Sequence, residues 1–98
     1  MAHRLALEAE RDLDDIVYYI AKETGSLGVA ERLIDSITSR FYLLAEHPRI
    51  GQARDDLLAG ARSFPVGNYL IVYDIDGEDV QILRVVHGRR NLAALFRR

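Results

Sequence analysis

Two amphipathic stretches with only Thr24-Gly25-Ser26 between them constrain this chain more than any other feature. From Glu8 onward, Ala9, Leu13, Ile16, Val17 and Ile20 recur at intervals of three and four, the apolar stripe of a helix. Glu8, Glu10 and Asp12 fall in its first turns, where the helix macrodipole favours acid. Gly25 suits the left-handed position that ends a helix, and Ser26 suits the cap that starts the next. Ala30, Leu33, Ile34, Ile37, Phe41 and Leu44 form a second stripe, which Pro48 terminates. So short a connection forces the two helices back on each other as an antiparallel hairpin.

The hairpin needs an apolar partner, and the rest of the chain reads as strands. His3 to Leu7 is a short apolar run that fits an edge strand. The helical period disappears from Pro48 to Gly60, a loop in which Asp55-Asp56-Leu57-Leu58 fits one turn of helix. Arg62 to Val66 contains Pro65, so it reads as an edge or a strand end. Asn68 to Ile75 is rich in Tyr, Ile and Val, Asp76-Gly77-Glu78 signals a hairpin turn, and Val80 to Val86 is the last strand. Gly88 breaks it, and Asn91 to Phe96 fits a short final helix. The order β-α-α-β-β-β predicts an α+β fold, with a helical hairpin packed on a small, mostly antiparallel sheet.

At 98 residues there is room for a single domain spanning 1–98. The chain has no Cys, which excludes disulfides, thiol catalysis and Cys-ligated zinc. No apolar run approaches the roughly 18 residues of a membrane span, and the N-terminus does not read as a signal peptide. A cytoplasmic protein without membrane attachment is therefore expected.

Charge is distributed unevenly. Residues 1–60 hold seven Lys and Arg against eleven Asp and Glu, a net of −4, whereas residues 61–98 hold six against four, a net of +2. Arg84, Arg89, Arg90, Arg97 and Arg98 follow one another without an intervening acid. A basic end of this kind points to an acidic partner, either nucleic acid or an acidic protein segment. Strict alternation puts Leu83, Val85 and His87 on one face of the last strand and Ile82, Arg84 and Val86 on the other. An Arg amid apolar strand residues has to be paired or solvated. Two readings stand: an internal ion pair, for example with Asp74, or an anchor for phosphate or carboxylate on an open face, joined by Arg62. On an open face, Arg84 is expected to matter little for stability. His87, beside Gly88-Arg89-Arg90, is a candidate acid–base group or a structural strand end. Asp12, Asp15 and Asp35 read as solvated outer-face residues. His3 and His47 lack ligand spacing, and neither a phosphate loop nor a serine triad is present, so no metal or cofactor is expected.

Four segments together resemble a known family. They are Glu8-Ala9-Glu10-Arg11-Asp12-Leu13-Asp14-Asp15-Ile16, Glu46-His47-Pro48-Arg49-Ile50-Gly51, Arg62-Ser63-Phe64-Pro65-Val66-Gly67-Asn68-Tyr69-Leu70-Ile71-Val72-Tyr73, and Ile82-Leu83-Arg84-Val85-Val86-His87-Gly88-Arg89-Arg90-Asn91-Leu92. In this order they look like the ParE branch of the RelE/ParE toxins, the toxin halves of bacterial type II toxin–antitoxin modules. The resemblance implies a helical hairpin on an antiparallel sheet, no cofactor, and a hetero-oligomer with a cognate antitoxin, ParD-like or similar. It also implies one of two activities. ParE-like members inhibit DNA gyrase, whereas RelE-like members cleave mRNA on the ribosome with basic strand residues and a Tyr or His near the C-terminus. Under the second activity Arg84, His87 and Arg62 would be catalytic. Under the first, Arg62, Arg84, His87, Arg89, Arg90, Arg97 and Arg98 are candidates for contact with target or antitoxin. The absence of Tyr after His87, the absence of Lys in residues 46–60 and the net charge of −2 favour gyrase inhibition without catalysis. A non-toxic module that only binds antitoxin is a third possibility. Ala6 stands where the family often places a capping Ser or Thr, so the first helix is expected to begin without a side-chain cap.

Overall fold

The computed structural model describes residues 2–97, and its elements follow the periodicities of the sequence. A short strand β1 (His3–Leu5) leads into helix α1 (Leu7–Thr24) and helix α2 (Leu27–Glu46). Strands β2 (Gln52–Ala53), β3 (Arg62–Val66), β4 (Tyr69–Asp76) and β5 (Asp79–His87) follow, then a single turn of helix α3 (Leu92–Leu95). The two-residue β2 lies within the segment expected to be loop.

The hairpin is built by its connecting residues. Gly25 adopts φ 68°, and its N–H donates to the Ala21 carbonyl, closing α1. The Ser26 hydroxyl accepts the Val29 N–H at 3.2 Å and opens α2. Ala6 occupies the N-cap of α1 with no side-chain hydrogen bond, as the sequence implied.

All five strands form one sheet in the order β1-β5-β4-β3-β2. Only β1 and β5 run parallel, with His3 opposite Val80 and Leu5 opposite Ile82. Pro65 pairs with Leu70 of β4 in a part of β3 that β2 does not reach, so its missing N–H costs the sheet nothing. The helices cover one face of the sheet. Ala9, Ile16, Ile37, Phe41 and Leu44 meet Ile71, Tyr73, Val80, Ile82 and Val85 there, all buried.

The opposite face departs from expectation. It carries a second apolar cluster, in which Val72 is fully buried with Leu57 and Ala61, and Leu58, Leu70, Leu83, Leu92 and Phe96 pack around them. The 54–61 segment and the C-terminal turn therefore cover with apolar groups a face expected to be open or polar. One turn of helical hydrogen bonding, Leu57 and Leu58 N–H to the Arg54 carbonyl, brings Leu57 over the sheet.

Alternation along β5 also fails at one point. Tyr73 pairs with Ile82 but Val72 pairs with Arg84, which leaves Leu83 as an extra residue, a β-bulge. Ile82 and Val85 consequently share the helix-facing core, although strict alternation separates them. Sequence period cannot anticipate this shift, because pairing with β4 creates it.

Candidate interaction site at the end of the last strand

The bulge decides what becomes of Arg84. β1 stops opposite Ile82, so the edge of β5 beyond it has no strand neighbour. Asp12 of α1 fills that place. One of its carboxylate oxygens accepts the Val85 N–H at 2.9 Å, the role a neighbouring strand carbonyl would otherwise play. The same carboxylate receives Arg84 Nε at 2.8 Å and Nη2 at 2.9 Å, a bidentate pair. The side chains are only 18% and 9% exposed. Donating these hydrogen bonds to Asp12 holds the Arg84 guanidinium more firmly protonated than usual. Arg84 is thus an internal ion-pair residue, with Asp12 rather than Asp74 as its partner. Asp12 itself is buried, which corrects its reading as a solvated outer-face residue; Asp15 and Asp35 are exposed as expected.

Arg62 does not join Arg84. It lies opposite Tyr73, whereas Arg84 lies opposite Val72, the adjacent β4 residue on the other side of the pleat. Its guanidinium donates to the Gly51 carbonyl at 2.8 Å and the Arg49 carbonyl at 3.2 Å. The expected pairing of Arg62 and Arg84 on one open face is therefore corrected.

The remaining candidates gather beyond β5. His87 is exposed and packs edge-on against Tyr69 across the strand pair, with ring centroids 5.5 Å apart. Its Nδ1 accepts the Arg89 N–H at 3.2 Å, and its carbonyl accepts the Arg90 N–H at 3.0 Å, which tightens the turn. Arg89, Arg90 and Arg97 are exposed, and among the described residues none of them pairs with an acid. Arg98 lies outside the described residues. His87 and Arg90 border a depression of about 330 Å³ with Asp15, Tyr19, Tyr69 and the floor residue Val85. Burial, with the Tyr19 phenol nearby, keeps the Tyr69 hydroxyl protonated beyond its ordinary range. Tyr19 and Tyr69 were not anticipated as site residues. Tyr19 falls outside the helical stripe, and Tyr69 reaches His87 only through the β4–β5 register. The depression combines aromatic walls and an Arg on its rim, beside a β5 edge that has no strand neighbour and on which Asp12 takes the Val85 N–H. Such an arrangement suits the capture of a partner's side chain, with backbone pairing alongside.

This architecture, a helical hairpin on one face of a mostly antiparallel sheet with a basic end on its last strand, defines the α+β toxin class of the RelE/ParE type. The chain belongs to the family described as ParE toxin of type II toxin-antitoxin system, parDE, which matches residues 4–92. It is 41% identical to Toxin ParE3 of Caulobacter vibrioides over 83 residues, 85% of this chain and 82% of that one. It is 34% identical to Toxin ParE1 of the same organism over 92 residues, 94% of each chain. Among solved structures, a chain of the chromosomal ParDE toxin–antitoxin system from P. aeruginosa shares the fold. Its TM-score is 0.78 at 21% identity, over 89% of this chain and 95% of that one. A chain of the toxin–antitoxin complex RelBE2 from Mycobacterium tuberculosis matches with a TM-score of 0.54 at 32% identity, over 88% and 95%.

Proposed function

We propose that this chain is a toxin that acts by binding DNA gyrase and is neutralised by a cognate antitoxin, without chemistry of its own. One observation carries the reading: Arg84, the strand arginine a nuclease would turn toward phosphate, is committed on two hydrogen bonds to Asp12. The apolar cover over the outer sheet face, Leu57, Leu58, Leu92 and Phe96, supports the same view, because it occupies space an RNA backbone would need. His87 has a ring contact to Tyr69 and a backbone hydrogen bond, but among the described residues no carboxylate hydrogen-bonds to it. Inhibition by binding then rests on the exposed arginines, Arg89, Arg90 and Arg97, and on the aromatic depression. An acidic, amphipathic antitoxin segment would cover both, folding as it binds.

The test is expression of the chain alone. Accumulation of cleaved gyrase–DNA complexes with translation intact is expected, and His87→Gln should still arrest growth. Charge removal at Arg89, Arg90 and Arg97 should weaken the arrest. A second reading, mRNA cleavage on the ribosome, draws on the exposure of His87 beside Arg90. It wins if the wild type stops translation instead and folded His87→Gln loses about 100-fold or more of its activity.

A further inference from the structure

The segment after α2 is held with unusual thoroughness. The Tyr73 side chain is fully buried, and its hydroxyl donates to the Pro48 carbonyl at 2.8 Å while accepting the Gly51 N–H at 2.9 Å. Arg62 adds its bonds to the Arg49 and Gly51 carbonyls. The Ile50 N–H closes the turn on the His47 carbonyl at 3.2 Å. Gly51 permits the close approach: a Cβ there would lie 2.7 Å from the Tyr73 ring and 2.9 Å from the Ser63 carbonyl. Two sheet side chains thus fix the loop through its backbone alone.

The loop's own side chains return little to the core. His47 and Arg49 are exposed, and Ile50 is 47% exposed and belongs to neither apolar cluster. A loop that merely plugged the end of the core would turn its isoleucine inward. Here a stiff, β-branched side chain is held outward on a fixed backbone, beside an Arg49 that has no carboxylate partner among the described residues. Little freedom remains to be lost on binding.

We propose that His47–Ile50 is a preformed contact loop that seats Ile50 in a small apolar pocket with an acidic rim on the folded protein this toxin inhibits. The inference rests on the toxin reading above. Arg49 sets the charge of the rim, since it adjoins Ile50 in sequence and is free to pair. The occupant is the folded target rather than the antitoxin. A segment that folds on binding adapts to its surface and has no use for a rigid loop, whereas a folded target meets only a shape already in place. The loop is also separate from the aromatic depression: Tyr73 lies beneath the loop and Tyr69 beside the depression, four residues and roughly 13 Å apart along β4.

The experiment compares wild type with Ile50→Ser, Arg49→Ser, Arg49→Lys, Arg49→Glu and the Ile50→Ser/Arg49→Ser pair. It measures the induced dose that arrests growth, thermal melting, and affinity for the antitoxin encoded beside the chain. The double variant is expected to need at least about tenfold more toxin, the equivalent of about 1.4 kcal/mol of lost contact. Melting and antitoxin affinity should stay at wild-type values. Arg49→Lys should keep most of the potency, and Arg49→Glu should lose more than Arg49→Ser. Arrest by the double variant at the wild-type dose overturns the loop assignment, as does an equal loss of antitoxin binding. Equal potency of the Glu and Ser variants overturns the acidic rim. If the wild type arrests nothing at any dose, the toxin reading fails and the loop assignment falls with it.

Discussion

Replacing Asp12 by Ala removes three hydrogen bonds at once, two from Arg84 and one from the Val85 N–H. Breaking a buried ion pair from one side costs about 3–5 kcal/mol, because the abandoned charge stays buried. Arg84 keeps 18% exposure and recovers part of its hydration, which places the loss near the lower bound, about 3 kcal/mol. In a domain of this size that lowers Tm by roughly 12–24 °C. Asp12→Asn keeps an acceptor for Val85 and should recover about 1 kcal/mol of the loss. Arg84→Met should cost a similar amount to Asp12→Ala, and the double variant should cost well under the sum, with a coupling of at least about 1.5 kcal/mol. Urea unfolding of the four proteins measures this directly. Single losses within about 0.5 kcal/mol of wild type, or strictly additive ones, would refute the argument that this pair locks α1 to the free edge of β5.

Tyr73→Phe strands the buried Gly51 N–H and the Pro48 carbonyl and should cost about 2 kcal/mol in denaturant unfolding, with the ring's packing kept. Ala6→Ser supplies the hydroxyl that the N-cap of α1 lacks and should raise stability by about 0.5–1 kcal/mol; no gain in Tm would mean the cap geometry is wrong. Asp74 has a buried oxygen without a hydrogen-bond partner among the described residues, and burial together with nearby Asp76 raises its pKa. The folded state therefore binds this proton more tightly than the unfolded chain. Its contribution is most favourable below the ordinary carboxylate range and is lost as pH rises through the raised value. Asp74→Asn should raise Tm at about pH 7 and raise it less in acid; equal gains at both would assign the effect to packing.

Much of this arrangement is legible in local sequence. Gly25 and Ser26 close and open the helices through groups within one turn of themselves, so reading neighbours suffices. Asp76-Gly77-Glu78 likewise marks the β4–β5 turn, where Gly77 takes φ 64°. What escaped the sequence depends on partners far away along the chain, in Asp12's case 72 and 73 positions away. Asp12 looks like any outer-face acid until the bulge at Leu83 turns Val85 N–H and Arg84 toward it. The covered outer face is hidden for the same reason. Leu57, Leu58 and Phe96 show no period, because they come from irregular segments that meet only over the sheet. Resemblance supplied the family and the position of Arg84, but the commitment of that residue to Asp12 is visible only in three dimensions.

The pairing of β1 with β5 sets when the protein can exist at all. The strand that enters first, at His3, is neighbour to the strand made last, and β5 stands between β1 and β4. Until Val80, Ile82 and Val85 emerge, the helical hairpin faces an unfinished sheet, and the core around Phe41 and Leu44 lacks its β5 side. Contacts this distant in sequence form late and slowly. A chain cut short before β5 therefore carries no assembled surface to offer a partner, and the folded form appears only once β5 has been made.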